Sequence, residues 1–181
     1  AEFASFMEQM LLLTDKYADI KVFRNVNSEF LILGTDVQQL EKIGDEIRQI
    51  FSRNVYLYNN IRMIIVETAD DFSGINELMH FLSFVEDNYM EEGSARLFVA
   101  GQTVVLKYRE HKVIEQKIET ALEEDRIEVH LQPIFSNKEK RFTSAEALVR
   151  IREEDGGLMS PGVFISVAEK SGQIVQIGER V

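Results

Sequence analysis

Apolar residues recur along this chain with two periods, and the switches between them predict its elements. Near the N-terminus Phe6, Met10, Leu13 and Tyr17 fall at helical spacing, which predicts a helix over 3–17. The stretch KVFRNVNSEFLILG then holds two apolar, β-branched-rich runs around the polar tip Asn25-Val26-Asn27-Ser28, the pattern of a hairpin. Gly34-Thr35-Asp36 closes the second strand and supplies a helix N-cap. Leu40, Ile43, Ile47, Ile50 and Phe51 return to the helical period over 37–53. VYLYNN and IRMIIVET predict two further strands, joined by a hairpin at Asn59-Asn60. After Phe72-Ser73-Gly74, the residues Leu78, Leu82, Val85 and Tyr89 mark a helix over 75–91, and 96–99 reads as a short strand.

The order so far is α-β-β-α-β-β-α-β. Hairpins mixed with crossover helices predict an α/β layer structure with an antiparallel-containing sheet. The texture then changes. Residues 104–125 form a long, charged helical stretch whose apolar positions Val113, Ile114, Ile118, Ala121 and Leu122 make a narrow stripe. It reads as a helix linking two domains, 1–103 and 126–181, and as a coiled-coil partner for a second copy in the alternative reading. Beyond it come a strand in IEVHLQPIF, a turn in SNKEKR, a strand in FTSAEALVRI and a Gly-Gly loop over 153–158. A helix opens at Ser160-Pro161, an N-cap followed by proline at the first helical position. Phe164, Ile165, Ala168 and Ile174 are assigned to core packing, and Glu169 to a structural role.

Composition narrows the function. Hydrophobic residues make up 45% of the 181, enough for a core and against disorder. The formal net charge of -11 argues against a nucleic-acid polymer or an anionic membrane as partner. It leaves room for a small anionic ligand in a local basic or metal-lined pocket. The absence of cysteine removes disulfides, thiolate metal sites and a cysteine nucleophile. No apolar run reaches bilayer length, so a cytoplasmic protein, or the cytoplasmic part of a membrane-anchored sensor, is expected. His80, His111 and His130 are scattered without metal-ligand spacing.

The segment SAEALVRI, 144–151, is a buried-strand pattern with a carboxylate and a guanidinium in it. By the two-residue period Glu146, Leu148 and Arg150 share one face. An exposed face with cross-strand partners accounts for that pair taken alone. The flanking motifs favour another reading: HLQPIF, then SAEALVRI, then SPGVFISVAEKSG, in that order and separation, resemble the start of an EAL domain, over roughly 113–181. That family hydrolyses the bacterial second messenger cyclic di-GMP on a variant TIM barrel, whose active sites lie at the C-terminal ends of strands. The resemblance implies that Glu146 ligates Mg2+ or Mn2+, that Arg150 pairs with a phosphate and that Gln132 contacts the nucleotide. Metal ions would generate hydroxide and neutralise the phosphate.

A TIM barrel takes about 250 residues, and far fewer follow the linking helix here. The family's remaining acidic ligands and its catalytic lysine would lie further on, so this chain alone is expected to be inactive and to bind no metal. The expected alternatives are a barrel remnant swapped with another copy, one packed on its neighbour, or a piece of a longer protein.

The first half resembles a GGDEF domain, a cyclic di-GMP synthase fold, from its second helix onward. Where that family carries R-x-G-G-(D/E)-E-F, this chain has Arg24-Asn25-Val26-Asn27-Ser28-Glu29-Phe30. Val26 and Asn27 replace the two glycines, Ser28 the acidic metal ligand, while Glu29 and Phe30 keep the frame. Glycines let the backbone approach the nucleotide, and valine disfavours positive φ. The family's product-inhibition motif finds only Lys16-Tyr17-Ala18-Asp19. The expectation is a degenerate, incomplete GGDEF-like domain without cyclase activity, regulatory or dimerising, with GTP a conceivable ligand. The whole then reads as part of a cyclic di-GMP phosphodiesterase, or alternatively as a non-catalytic cyclic di-GMP or GTP receptor or interaction module.

Overall fold

The expected first hairpin pairs as β1 (Lys21–Arg24) and β2 (Phe30–Leu33), antiparallel, with Lys21 opposite Leu33 and Arg24 opposite Phe30. The computed structural model describes residues 8, 12, 16, 17, 19–24, 30–52, 62–66, 72–90 and 96–181. The expected helix over 3–17, the hairpin tip at 25–29 and the strand with its turn at Asn59-Asn60 lie outside the described residues. The chain divides into two units, Ala1–Val105 and Leu106–Val181.

In the first unit, α1 (Val37–Phe51) starts where its cap predicts. The Asp36 carboxylate accepts a 2.9 Å hydrogen bond from the Gln38 amide, satisfying one of the donors a helix start leaves over. The helix ends two residues before the expected 53. Its inner face buries Ile43, Ile47 and Phe51, against which Ile20, Ile32 and Met63 pack. Gly44 sits where a β-carbon would stand 3.0 Å from a Leu97 methyl, so the small residue permits close helix-to-strand approach. β3 (Arg62–Val66) and β4 (Arg96–Ala100) pair in parallel. The helix α2 (Ile75–Tyr89) lies between them in sequence and buries Leu78, Phe81 and Val85. Glu77 reaches back from its first turn to accept from the Ser73 N–H and hydroxyl, at 2.6 and 2.7 Å.

The long helix α3 (Gln102–Glu123) runs two residues ahead of the expected 104–125 at both ends. Ile118, Ala121 and Leu122 are buried and Ile114 partly so, but Val113 is 56% exposed. A step of one residue rotates the helix by about 100°, which carries Val113 off the stripe set by 114, 118, 121 and 122. There follow β5 (Ile127–Ser136), β6 (Arg141–Arg152) and β7 (Leu158–Met159), an antiparallel sheet in that order. The strand β7 was not expected, because two residues are too few for an alternation to show. Next, α4 (Pro161–Ser171) places Pro161 in its first turn as predicted. Ser160 takes the extended cap conformation, but its side chain makes no capping bond. Gly172, at φ +77°, ends α4 in the left-handed conformation, and α5 (Ile174–Gly178) follows. The core of this unit joins Ile118, Ala121 and Leu122 to Ile151, Met159, Phe164, Val167, Ala168 and Ile177, with Ile165 and Ile174 packed on it. No described helix is long and apolar enough to cross a membrane.

Candidate functional site

The candidate residues ride on the β5–β6 hairpin, so the turn and register come first. The turn is closed by the Lys140 amide donating to the Ser136 carbonyl at 2.8 Å and by the Glu139 amide donating to the Ser136 hydroxyl at 3.1 Å. Lys140 takes φ +55°, the left-handed region. One residue, Thr143, bulges out of β6, where the register shifts between Ile134 and Phe135. Beyond the bulge the ladder is regular: Gln132 opposes Glu146, His130 opposes Leu148 and Glu128 opposes Arg150. Directly opposed residues share a face, their β-carbons about 4.5–5.5 Å apart.

This register makes the two faces different. One carries Ile127, Val129, Leu131 and Pro133 with Ala145, Ala147, Val149 and Ile151. It begins buried at Ile151 and ends exposed, with Leu131 68% exposed. The other carries Glu128, His130 and Gln132 with Glu146, Leu148, Arg150 and Arg152. The expected trio of Gln132, Glu146 and Arg150 is on this polar face. Gln132 and Glu146 are exposed there and Arg150 is half-buried. One Arg150 N–H donates to the Val149 carbonyl at 2.8 Å.

The polar face also holds a cluster the sequence reading did not single out. Arg152 grips Glu128 with two N–H groups, Nε to Oε1 at 2.7 Å and Nη2 to Oε2 at 2.8 Å. Its third nitrogen donates to the Gly156 carbonyl at 2.9 Å. His130 Nε2 lies 2.9 Å from Glu128 Oε2. These contacts, the Arg152 fork first, hold the Glu128 carboxyl down to about 2. The alternation Glu128, His130, Gln132 was a signal in the sequence. Arg152 as the partner needed the register.

Of the degenerate hairpin residues, Val26, Asn27, Ser28 and Glu29 lie outside the described residues, and Phe30 opens β2, half-buried. Lys16 and Tyr17, from the degenerate inhibition motif, both meet Glu46 on α1: the Tyr17 hydroxyl donates to it at 3.0 Å and Lys16 pairs with it at 3.4 Å. The tyrosine bond lowers the Glu46 pKa and raises that of Tyr17.

A divalent cation of the magnesium kind needs several oxygen ligands. Glu146 is one carboxylate opposite an amide, and among the described residues no group of three or more His, Asp or Glu could hold a metal ion. The described residues do not complete such a site.

With the strand pair and its polar face in view, the family comparison falls on the same segment. Residues 115–181 match the EAL domain family. The matched segment runs from within α3 to the last residue and contains the whole polar face. The signalling protein YkoW of Bacillus subtilis is 42% identical over 82 residues, 45% of this chain and 10% of the relative. The cyclic di-GMP phosphodiesterase NbdA of Pseudomonas aeruginosa is 38% identical over 68 residues, 38% of this chain and 9% of the relative. Among solved structures, the MucR phosphodiesterase in complex with cyclic di-GMP matches at 37% identity with a TM-score of 0.35, covering 37% of this chain and 27% of that one. The chain spans between 9% and 23% of the first curated relatives it matches.

Proposed function

We propose that the EAL segment supplies the nucleotide-holding strand pair of a cyclic di-GMP phosphodiesterase in a bacterial signalling protein. The observation that carries this reading is the β5–β6 register. It sets Gln132 opposite Glu146 and puts Arg150 on the same face, two residue types that bind a nucleotide and one that binds a hard cation. In this reading the Arg150 guanidinium faces a phosphate, Gln132 fixes the nucleotide, and Glu146 ligates Mg2+ or Mn2+ together with carboxylates from further strands. The reaction is attack of water on one phosphodiester bond, opening the ring to the linear dinucleotide. In this reading Glu146 by itself cannot organise a metal-activated water and neutralise the phosphate, so turnover requires those further carboxylates.

The first unit, in the same reading, is a degenerate GGDEF-like domain with a regulatory role. Val26, Asn27 and Ser28 stand where nucleotide approach and metal ligation require glycines and a carboxylate. Incubation with GTP and magnesium is expected to yield no cyclic di-GMP.

The deciding experiment is cyclic di-GMP hydrolysis with magnesium or manganese by a chain extended through a full barrel, beside its Glu146→Ala variant. Turnover lost in the variant supports the phosphodiesterase. Binding without turnover in the extended wild type replaces it with the receptor reading, which Gln132 and Arg150 serve without any metal.

A further inference from the structure

Between the Gln132–Glu146 pair and the Glu128–Arg150 pair lies one more layer of the polar face, His130 opposite Leu148. Neither residue has a part in the reading above. His130 is held but not covered. Its Nε2 meets Glu128 Oε2 at 2.9 Å, while its side chain stays 42% exposed. Glu128 is itself fixed by the two-pronged Arg152 contact, and Arg152 by the Gly156 carbonyl.

The hydrogen bond sets the tautomer. An ionised carboxylate only accepts, so Nε2 carries the proton. In the neutral ring Nδ1 is then the nitrogen with a lone pair, an acceptor and not a donor. A lone acceptor on a residue that stands opposite a half-buried leucine in the ladder suits a purine base and not a phosphate. The leucine offers apolar contact to the ring plane, and the nitrogen takes an N–H from the base edge. Guanine presents N1–H at the centre of that edge, where adenine presents a bare lone pair and carries an N–H only on its exocyclic N6 at the corner.

We propose, resting on the cyclic di-GMP reading, that His130 is a further nucleotide-binding residue, one that selects guanine by accepting its N1–H, with Glu128 and Arg152 as the positioning residues that fix the ring. A site built to pair with a polar group rejects the analogue that lacks it, because its own group is left unpaired.

The test is calorimetric titration of the chain extended through a full barrel, without added divalent metal, with cyclic di-GMP and with cyclic di-AMP. Wild type is expected to prefer the guanine ligand. His130→Leu is expected to weaken cyclic di-GMP binding about tenfold and leave cyclic di-AMP unchanged. His130→Gln, which keeps an acceptor, is expected to retain most of the preference, and Arg152→Gln to lose part of it. Should the leucine variant not fold, His130→Lys, a donor only, is expected to show the same loss. Equal weakening of both ligands in the His130 variants, or of neither, overturns the role of His130 while cyclic di-GMP binding by wild type leaves the broader reading standing. A wild-type chain that binds neither ligand overturns both.

Discussion

At the level of single residues, the Glu128–Arg152 pair is the best-defined interaction on the polar face, and its pH dependence has a definite sign. The Glu128 carboxyl is lowered from 4.5 to about 2 by the Arg152 fork and His130. A depressed carboxylate stabilises the fold fully above its unfolded value, and that contribution is lost as pH falls through the folded one. The loss is therefore expected between pH 4.5 and about 2. In Arg152→Gln the Glu128 carboxyl is expected to titrate closer to 4.5, and the fall in melting temperature over that window to be shallower. Carboxyl-resolved NMR titration and thermal melts at stepped pH measure both. An unchanged Glu128 titration in the variant would show that the fork does not set it.

At the level of elements, ends and buried faces make separate demands. Asp36 caps α1 through the Gln38 amide, so Asp36→Ala is expected to cost about 1 kcal/mol. Gly172 closes α4 at φ +77°, with open space where a β-carbon would be. Gly172→Ala is then expected to cost about 1–2 kcal/mol from backbone conformation alone. Phe164 is fully buried among Ile118, Ile151 and Met159, and Phe164→Ala is expected to cost about 3–5 kcal/mol. Urea unfolding of each variant, followed by circular dichroism, ranks them. A phenylalanine variant no weaker than the glycine one would contradict the burial described here. The hairpin itself is two-faced along its length. Its apolar face is covered near Ile151 and bare at Leu131, while Phe135 and Phe142 stack edge to face at 5.4 Å near its tip.

For the whole molecule, the net charge of -11 governs long-range behaviour. At physiological ionic strength the chain is expected neither to shift duplex DNA in a gel nor to sediment with phosphatidylserine vesicles, since neither polyanion gains from counterion release to an acidic protein. Strong binding to either, weakened steeply by salt, would reveal a basic surface that the net charge conceals. The sequence by itself determined the element types: helical period placed α1, α2 and α3, the Ser160-Pro161 start signal placed α4, and alternation placed β5 and β6, because local periodicity follows directly from which face must be buried and a proline at the first turn costs no hydrogen bond. It also determined that Glu146, Leu148 and Arg150 share a face, since the strand period is two. Helix ends slipped by two residues, because capping and fraying are decided by backbone bonds that composition only biases. The short strand β7 escaped, having no room for a pattern, and Val113 was misplaced because one residue turns a helix by more than the width of a narrow stripe. Only the tertiary structure decided which residues of β5 stand across from β6. Register depends on the turn at 137–140 and the bulge at Thr143, and neither is written in either strand's own alternation. Through that register alone Gln132 came opposite Glu146, and Glu128 came within reach of Arg152 to hold His130 in place.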